Sequence, residues 1–93
     1  MIIIQKKDFN LEKEINKIKS KYLNVGAVSN FVGYVKDLNN NRKVSSIVLD
    51  VYQDMAYNSL KKICQKAKKK WDIIDVLIIH RFGKLDINEK IVL

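Results

Sequence analysis

A cation that follows a glycine near the end of a predicted strand is the first candidate for chemistry. Lys36 closes the stretch from Gly26 to Lys36, and Gly33 precedes it by three positions. A glycine inside a strand marks a bulge or a close approach to the backbone. A lysine beside it can form charge-assisted hydrogen bonds to an anion. The pattern predicts either a purely structural glycine or a site for an anionic ligand.

The second candidate is the run His80-Arg81-Phe82-Gly83, which contains the only histidine of the chain. Because the histidine stands between apolar residues on one strand face, we interpret it as a hydrogen-bonded core residue. No second histidine or nearby cysteine supplies metal-ligand spacing, so no metal site is predicted. Arg81 should point to the opposite face, toward a carboxylate such as Asp50.

Composition limits the class of protein. Ninety-three residues, 47% hydrophobic and 30% charged, predict one folded domain over residues 1–93 without a membrane segment. The single cysteine, Cys64, excludes an intramolecular disulfide, and we interpret it as an inert thiol in a cytoplasmic protein. No cofactor is predicted. The net charge of +8 indicates a field that attracts anionic ligands, acidic proteins or nucleic acid.

These candidates lie among strands and helices that the hydrophobic periodicity predicts. We expect two helices, one capped by Asn10 and the other by Asp54. The predicted strands cover residues 1–7, 27–36, 44–52, 73–82 and 90–93, and a turn covers 38–43. Tyr52 and Met55 should fix the second helix to the sheet at one end, and Trp71 should do so at the other.

The order strand, helix, strand, strand, helix, strand is typical of an α+β domain. Taken alone, it would favour a ferredoxin-like sandwich. The periodicity does not separate that sandwich from other arrangements of the same elements.

Four segments in register resemble the large, catalytic subunit of molybdopterin synthase, the MoaE family. They are Gly26 to Lys36, Asp50 to Met55, Lys70-Trp71 and His80 to Gly83. The resemblance covers residues 26–93. It implies an α/β-hammerhead-like fold with a mixed or antiparallel sheet and two helices, which we rank above the ferredoxin-like alternative.

The resemblance also implies site residues. The residues that follow the strand glycine in the family bind the pterin substrate, so this role is carried over to Tyr34, Val35 and Lys36. The family usually has arginine where this chain has Lys36, which keeps the charge but loses the planar fork of donors. The remaining motif residues are interpreted as structural: Gly26, Gly33, Tyr52, Met55, Trp71, His80, Arg81 and Gly83.

The implied reaction is sulfur transfer. A ubiquitin-like small subunit inserts its C-terminal thiocarboxylate tail, and sulfur passes to cyclic pyranopterin monophosphate to make molybdopterin. The essential lysines of the family correspond to positions beyond Leu93, so the catalytic residues are unknown and this 93-residue chain is expected to be inactive. The implied assembly is a heterotetramer built on a homodimer of large subunits.

Two further hypotheses about function stay open: the chain is a small basic nucleic-acid-binding module, or it is a non-catalytic remnant that dimerises. The first is disfavoured because the segment 44–51 and the first strand lack the aromatic residues that stack on bases. The second follows from the final strand, since a strand begun at Lys90 and ended at Leu93 is expected to leave backbone groups unpaired. We therefore expect the isolated chain to dimerise or aggregate.

Overall fold

The computed structural model describes residues 1–39, 42–43 and 46–93. It contains two helices, α1 (Leu11–Lys21) and α2 (Gln53–Lys70). Its eight strands are β1 (Ile2–Gln5), β2 (Gly33–Tyr34), β3 (Leu38–Asn39), β4 (Arg42–Lys43), β5 (Ser46–Leu49), β6 (Ile78–Arg81), β7 (Gly83–Asp86) and β8 (Lys90–Val92). None of the helices in the described ranges is long and apolar enough to cross a bilayer.

The principal sheet is mixed. Its strand order is β1-β6-β8-β2, with β1 parallel to β6 and the other neighbours antiparallel. Strand β5 pairs with β7 in a separate two-stranded sheet, and β3 pairs with β4 in another. The α+β fold with two helices and a mixed sheet confirms the first-ranked fold class. The ferredoxin-like alternative is wrong, because β2 pairs with β8 instead of forming a hairpin with the next long strand.

The strand that begins at Lys90 is an interior strand. It lies between β6 and β2, and the backbones of Ile79 and Leu93 exchange two hydrogen bonds of 3.1 and 2.9 Å. The expectation that this strand leaves its backbone groups unpaired is therefore wrong. The apolar segment from Ile73 contributes only four residues to β6, and the segment from Ala27 contributes only two to β2.

The two helices begin differently. The side chain of Asn10 accepts a hydrogen bond of 3.0 Å from the Lys13 amide, so the predicted cap of α1 is confirmed. Helix α2 begins after Tyr52, which makes no side-chain cap. Asp54 lies in its first turn, where the helix dipole favours a carboxylate, and does not cap it.

Few side chains are fully buried. The buried apolar side chains of the described residues are Phe9, Val35, Ile79 and Leu85. Ile79 and Leu85 come from adjacent strands in sequence, β6 and β7, and each is 1% exposed. Turn residues 40–41 and the first two residues of the predicted 44–52 strand lie outside the described ranges. That strand is observed as β5.

Candidate functional site

Gly33 allows two strands to approach closely. It pairs with Val92, and a Cβ atom added to Gly33 would lie 3.0 Å from the Cγ1 atom of Val92. Few real Cβ contacts are that short, so a side chain there would require the Val92 side chain to move by a few tenths of an ångström. The pairing is also irregular between Gly33 and Tyr34: they pair with Val92 and Lys90, so Ile91 of β8 is the residue left without a partner in the register. The packing of β8 is a sufficient explanation for this glycine.

Val35 has a buried side chain, and both of its backbone polar groups are hydrogen-bonded. Its side chain is 2% exposed, its amide donates to the carbonyl of Glu89, and its carbonyl accepts from the amide of Asn88, both at 2.9 Å. Its partners belong to the turn between β7 and β8, in which the Glu89 amide donates to the Asp86 carbonyl at 3.1 Å. Asn88 has a φ of 67°, the left-handed conformation that asparagine tolerates at this turn position. The backbone of Val35 is thus held by a well-formed turn.

Tyr34 and Lys36, on either side of Val35, face solvent. Tyr34 is 55% exposed and Lys36 is exposed as well. Alternation along an extended backbone explains this arrangement, because successive side chains point to opposite faces. Of the three residues predicted to bind substrate, two can therefore offer side chains to a ligand, whereas Val35 serves as their internal support.

One concavity of the described residues is an apolar groove of about 800 Å³. It is lined by residues of α1 together with the segments 25–31, 72–78 and 92–93. Gly26 lies on its wall with nothing within 4 Å of an added Cβ atom. The motif from Gly26 to Phe31 thus borders the groove, and the chain then passes through β2 to Lys36. A smaller polar cavity of about 420 Å³ lies beside Asp8 and Lys90, and Lys36 lines neither of the two.

Arg81 is the one buried charged side chain of the described residues, at 6% exposure. Its Nε atom donates to the carbonyl of Lys6 at 3.1 Å, and its Nη1 atom donates to the carbonyl of Lys90 at 2.9 Å. The carboxylates of Asp8 and Glu89 lie 3.8 and 3.6 Å from the guanidinium nitrogens.

Arg81 alternates with His80 along β6, as predicted, but its carboxylate partners among the described residues are Asp8 and Glu89 instead of Asp50. Asp50 follows β5, which pairs with β7 outside the principal sheet. Asp8 and Glu89 lie beside the strands that flank β6. No signal in the single sequence identified them, because a parallel pairing of β1 with β6 is not visible in local periodicity.

Lys90 extends this cluster toward the N-terminal segment. Its Nζ atom donates to the carbonyl of Phe9, lies 3.5 Å from the Asp8 carboxylate, and stands 5.0 Å from the centre of the Phe9 ring. The cation therefore contacts both an anion and an aromatic face.

His80 is half-buried. Its Nδ1 atom lies 2.9 Å from the carbonyl of Arg81, within hydrogen-bond distance. In the described ranges, no three histidine, cysteine, aspartate or glutamate side chains are grouped closely enough to hold a metal ion. The observed contact of His80 is therefore with the backbone of the next residue, which agrees with a structural role.

The residues predicted to fix α2 to the sheet are exposed instead. Tyr52, Met55 and Trp71 are 81%, 63% and 58% exposed, so this prediction is wrong. Helix α2 contacts the principal sheet at β1, and its half-buried residues are Ala56, Leu60, Cys64 and Ala67. Tyr52, Met55 and Trp71 lie at the two ends of α2, where none of the described elements covers them. Trp71 instead carries the ammonium group of Lys70 at 4.8 Å from its ring centre.

Gly83 is needed for its conformation. It has a φ of +89° at the junction between β6 and β7, where the chain passes from the principal sheet to the small one. A residue with a Cβ atom is strained there. The predicted turn at this point is not observed, because Gly83 is the first residue of β7.

Solved proteins of molybdopterin biosynthesis share this fold. A MoaE protein from Burkholderia ambifaria superposes with a TM-score of 0.88 at 37% identity, over 99% of this chain and 59% of that one. A molybdopterin cofactor biosynthesis protein E from Burkholderia multivorans gives 0.86 at 37% identity, with the same coverage. The chain therefore shares the fold of these MoaE proteins over almost its entire described length.

The chain belongs to the MoaE protein family, whose sequence model matches residues 4–93. It is 40% identical over 92 residues to the molybdopterin synthase catalytic subunit of Ralstonia nicotianae, and 36% identical over 91 residues to that of Pseudomonas aeruginosa. These matches cover 99% and 98% of the chain, but 52% and 61% of the two relatives. The chain thus spans roughly half to three-fifths of their length. The match also extends the recognised region to β1 and α1, which the motif resemblance did not include.

Proposed function

We propose that this chain has the substrate-binding and partner-binding role of a molybdopterin synthase catalytic subunit. The observation that carries the proposal is the family match over residues 4–93, together with structural relatives of TM-score 0.86–0.88. The substrate is cyclic pyranopterin monophosphate. Sulfur is supplied by the C-terminal thiocarboxylate of a ubiquitin-like small subunit, in a cytoplasmic heterotetramer.

The positions of Tyr34 and Lys36 support substrate binding. Both side chains are exposed at the end of a strand whose backbone is fixed through Val35. An ammonium group at the end of a rigid strand can pair with the phosphate of an anionic pterin, and the net charge of +8 adds a long-range attraction. The phenol of Tyr34 can offer a ring face and a hydroxyl group to the same ligand.

Binding of the pterin tests the substrate half of the proposal. We would titrate the chain with cyclic pyranopterin monophosphate by calorimetry at low salt. Lys36→Ala should weaken binding by roughly tenfold, as expected for the loss of a hydrogen bond to a charged group. Lys36→Arg should retain or improve it, since the fork of donors suits phosphate. Lys69→Ala, which removes an exposed lysine of α2, is the matched control and should leave binding unchanged.

The opposite result would overturn this assignment. If Lys69→Ala and Lys36→Ala weaken binding equally, the ligand responds only to net charge. If the unaltered chain does not bind the pterin at low salt, residues 34–36 do not form its site.

Reconstitution tests the reaction and the partner. The chain would be mixed with thiocarboxylated small subunit and the pterin precursor, and molybdopterin would be measured as its fluorescent oxidation product. We expect binding of the small subunit with little or no turnover, because none of the lysines in residues 1–93 matches the family's essential lysines. Turnover at the rate of a full-length relative would contradict the predicted inactivity, and absence of any complex would contradict the proposed partnership.

A further inference from the structure

The guanidinium of Arg81 joins three separate backbone segments. It lies on β6, donates to the carbonyl of Lys6 just after β1, and donates to the carbonyl of Lys90 at the start of β8. Lys6 and Arg81 are 75 positions apart in the sequence. The Nη2 atom of the same side chain lies 3.6 Å from the Oε1 atom of Glu89. The arginine therefore fixes the point where β8 leaves its turn.

That same point holds Val35. The carbonyl of Glu89 accepts from the Val35 amide, and the amide of Asn88 donates to the Val35 carbonyl, both at 2.9 Å. The Glu89 side chain also accepts from the amide of Asp86, which closes the turn. The contacts thus run without interruption from Arg81 through residues 88–90 to Val35, whose two neighbours are Tyr34 and Lys36.

Arginine is the side chain that suits this place. Its planar group offers five donors in fixed directions, so it can bond two carbonyls and still face two carboxylates. Lysine has three donors on a flexible stem and cannot reach both carbonyls in the same way. A buried guanidinium is also unfavourable unless it is fully partnered, which makes the arrangement sensitive to each contact.

From these contacts we infer that Arg81 is a positioning residue for substrate binding. It holds the 88–90 backbone, which in turn holds Val35 so that Tyr34 and Lys36 face outward together. This inference rests on the proposed function only in that residues 34–36 are taken to bind the pterin. The mechanical part of it, from Arg81 to Val35, does not depend on any ligand.

Amide hydrogen exchange tests the mechanical part. The variants are Arg81→Lys and Arg81→Met, with Lys84→Met, an exposed lysine of β7, as the control. The amides of Val35 and Asn88 should exchange about tenfold faster in both Arg81 variants. The amides of Ile79 and Leu93, which bond each other further along the β6–β8 pair, report global destabilisation and should change less than about twofold.

The result that overturns the inference is equal acceleration at all four amides, because Arg81 would then contribute only general stability. Unchanged exchange at Val35 and Asn88 would overturn it as well. If Arg81→Met does not fold, Arg81→Lys still permits the comparison. Lys84→Met should leave all four amides at their original rates.

A double-variant comparison tests the functional part. Arg81→Lys should weaken pterin binding by roughly three- to tenfold, and Lys36→Ala by roughly tenfold. If Arg81 acts through the placement of Tyr34 and Lys36, the loss of affinity in the combined variant should be clearly smaller than the product of the two single losses. Multiplicative losses would show an independent route and overturn the functional inference. Failure of the unaltered chain to bind pterin would defeat the proposed function, while the exchange experiment would still decide the positioning role.

Discussion

The surroundings of the turn between β7 and β8 differ from helix α2 in how far their apolar and charged side chains are buried. Around the turn, Val35 and Arg81 are almost completely buried and every polar group of the guanidinium faces a partner. On α2, Met55, Ile63 and Trp71 are more than half exposed. In both regions the sequence contains large apolar residues of the kind that usually pack in a core. Helical periodicity identifies which residues share a face, but only a covering element buries that face.

The largest expected effect comes from truncating a buried side chain of β6 in the principal sheet. Ile79→Ala should lower the free energy of unfolding by about 2–5 kcal/mol, because it opens a cavity around a residue that is 1% exposed. Ile63→Ala, on the exposed flank of α2, should change it by less than about 0.5 kcal/mol. Urea denaturation of the two variants measures the difference. Similar losses would mean that the flank of α2 is packed in solution.

A smaller effect is expected at two of the three glycines. Gly83→Ala should destabilise the chain by about 1–2 kcal/mol, because alanine is strained at a φ of +89°. Gly26→Ala should be neutral within about 0.5 kcal/mol, since an added Cβ atom meets nothing within 4 Å. Thermal unfolding followed by circular dichroism compares them. A larger loss for Gly26→Ala than for Gly83→Ala would contradict both backbone assignments.

The smallest effects concern the helix starts. Asn10→Ala should cost about 1 kcal/mol, because it removes the cap of α1. Tyr52→Asn should stabilise α2 by about 0.5–1 kcal/mol, since the present residue makes no cap hydrogen bond and is 81% exposed. Both changes are measured as shifts in the urea midpoint. A loss of stability in Tyr52→Asn would show that this tyrosine makes a packing contact of its own.

Local signals in the sequence predicted much of the fold. The cap at Asn10 and the glycine before Lys36 both depend on neighbours within a few residues, and each corresponds to an observed feature. The prediction for α2 failed at Tyr52 and Trp71 because their burial requires an element packed over them, which periodicity does not reveal. The strand from Ala27 was predicted too long, since apolar alternation continues along the wall of a groove without hydrogen-bonded pairing.

The candidate site was less predictable than the fold. Lys36 was identified from its position after a glycine, but its support by Val35 and the 88–90 backbone depends on the pairing of β2 with β8. The ion pairs of Arg81 with Asp8 and Glu89 depend on the parallel pairing of β1 with β6. Both pairings connect residues far apart in the chain, and no pattern within either strand specifies them.

The parallel pairing of β1 with β6 also bears on how the chain reaches its native state. The amino group of Met1 donates to the carbonyl of Val76, across 75 positions of sequence. Closing such a distance removes much chain entropy before any sheet contact compensates for it. During synthesis, the first strand and its run of three isoleucines therefore cannot pair with β6 until residues 78–81 have been made.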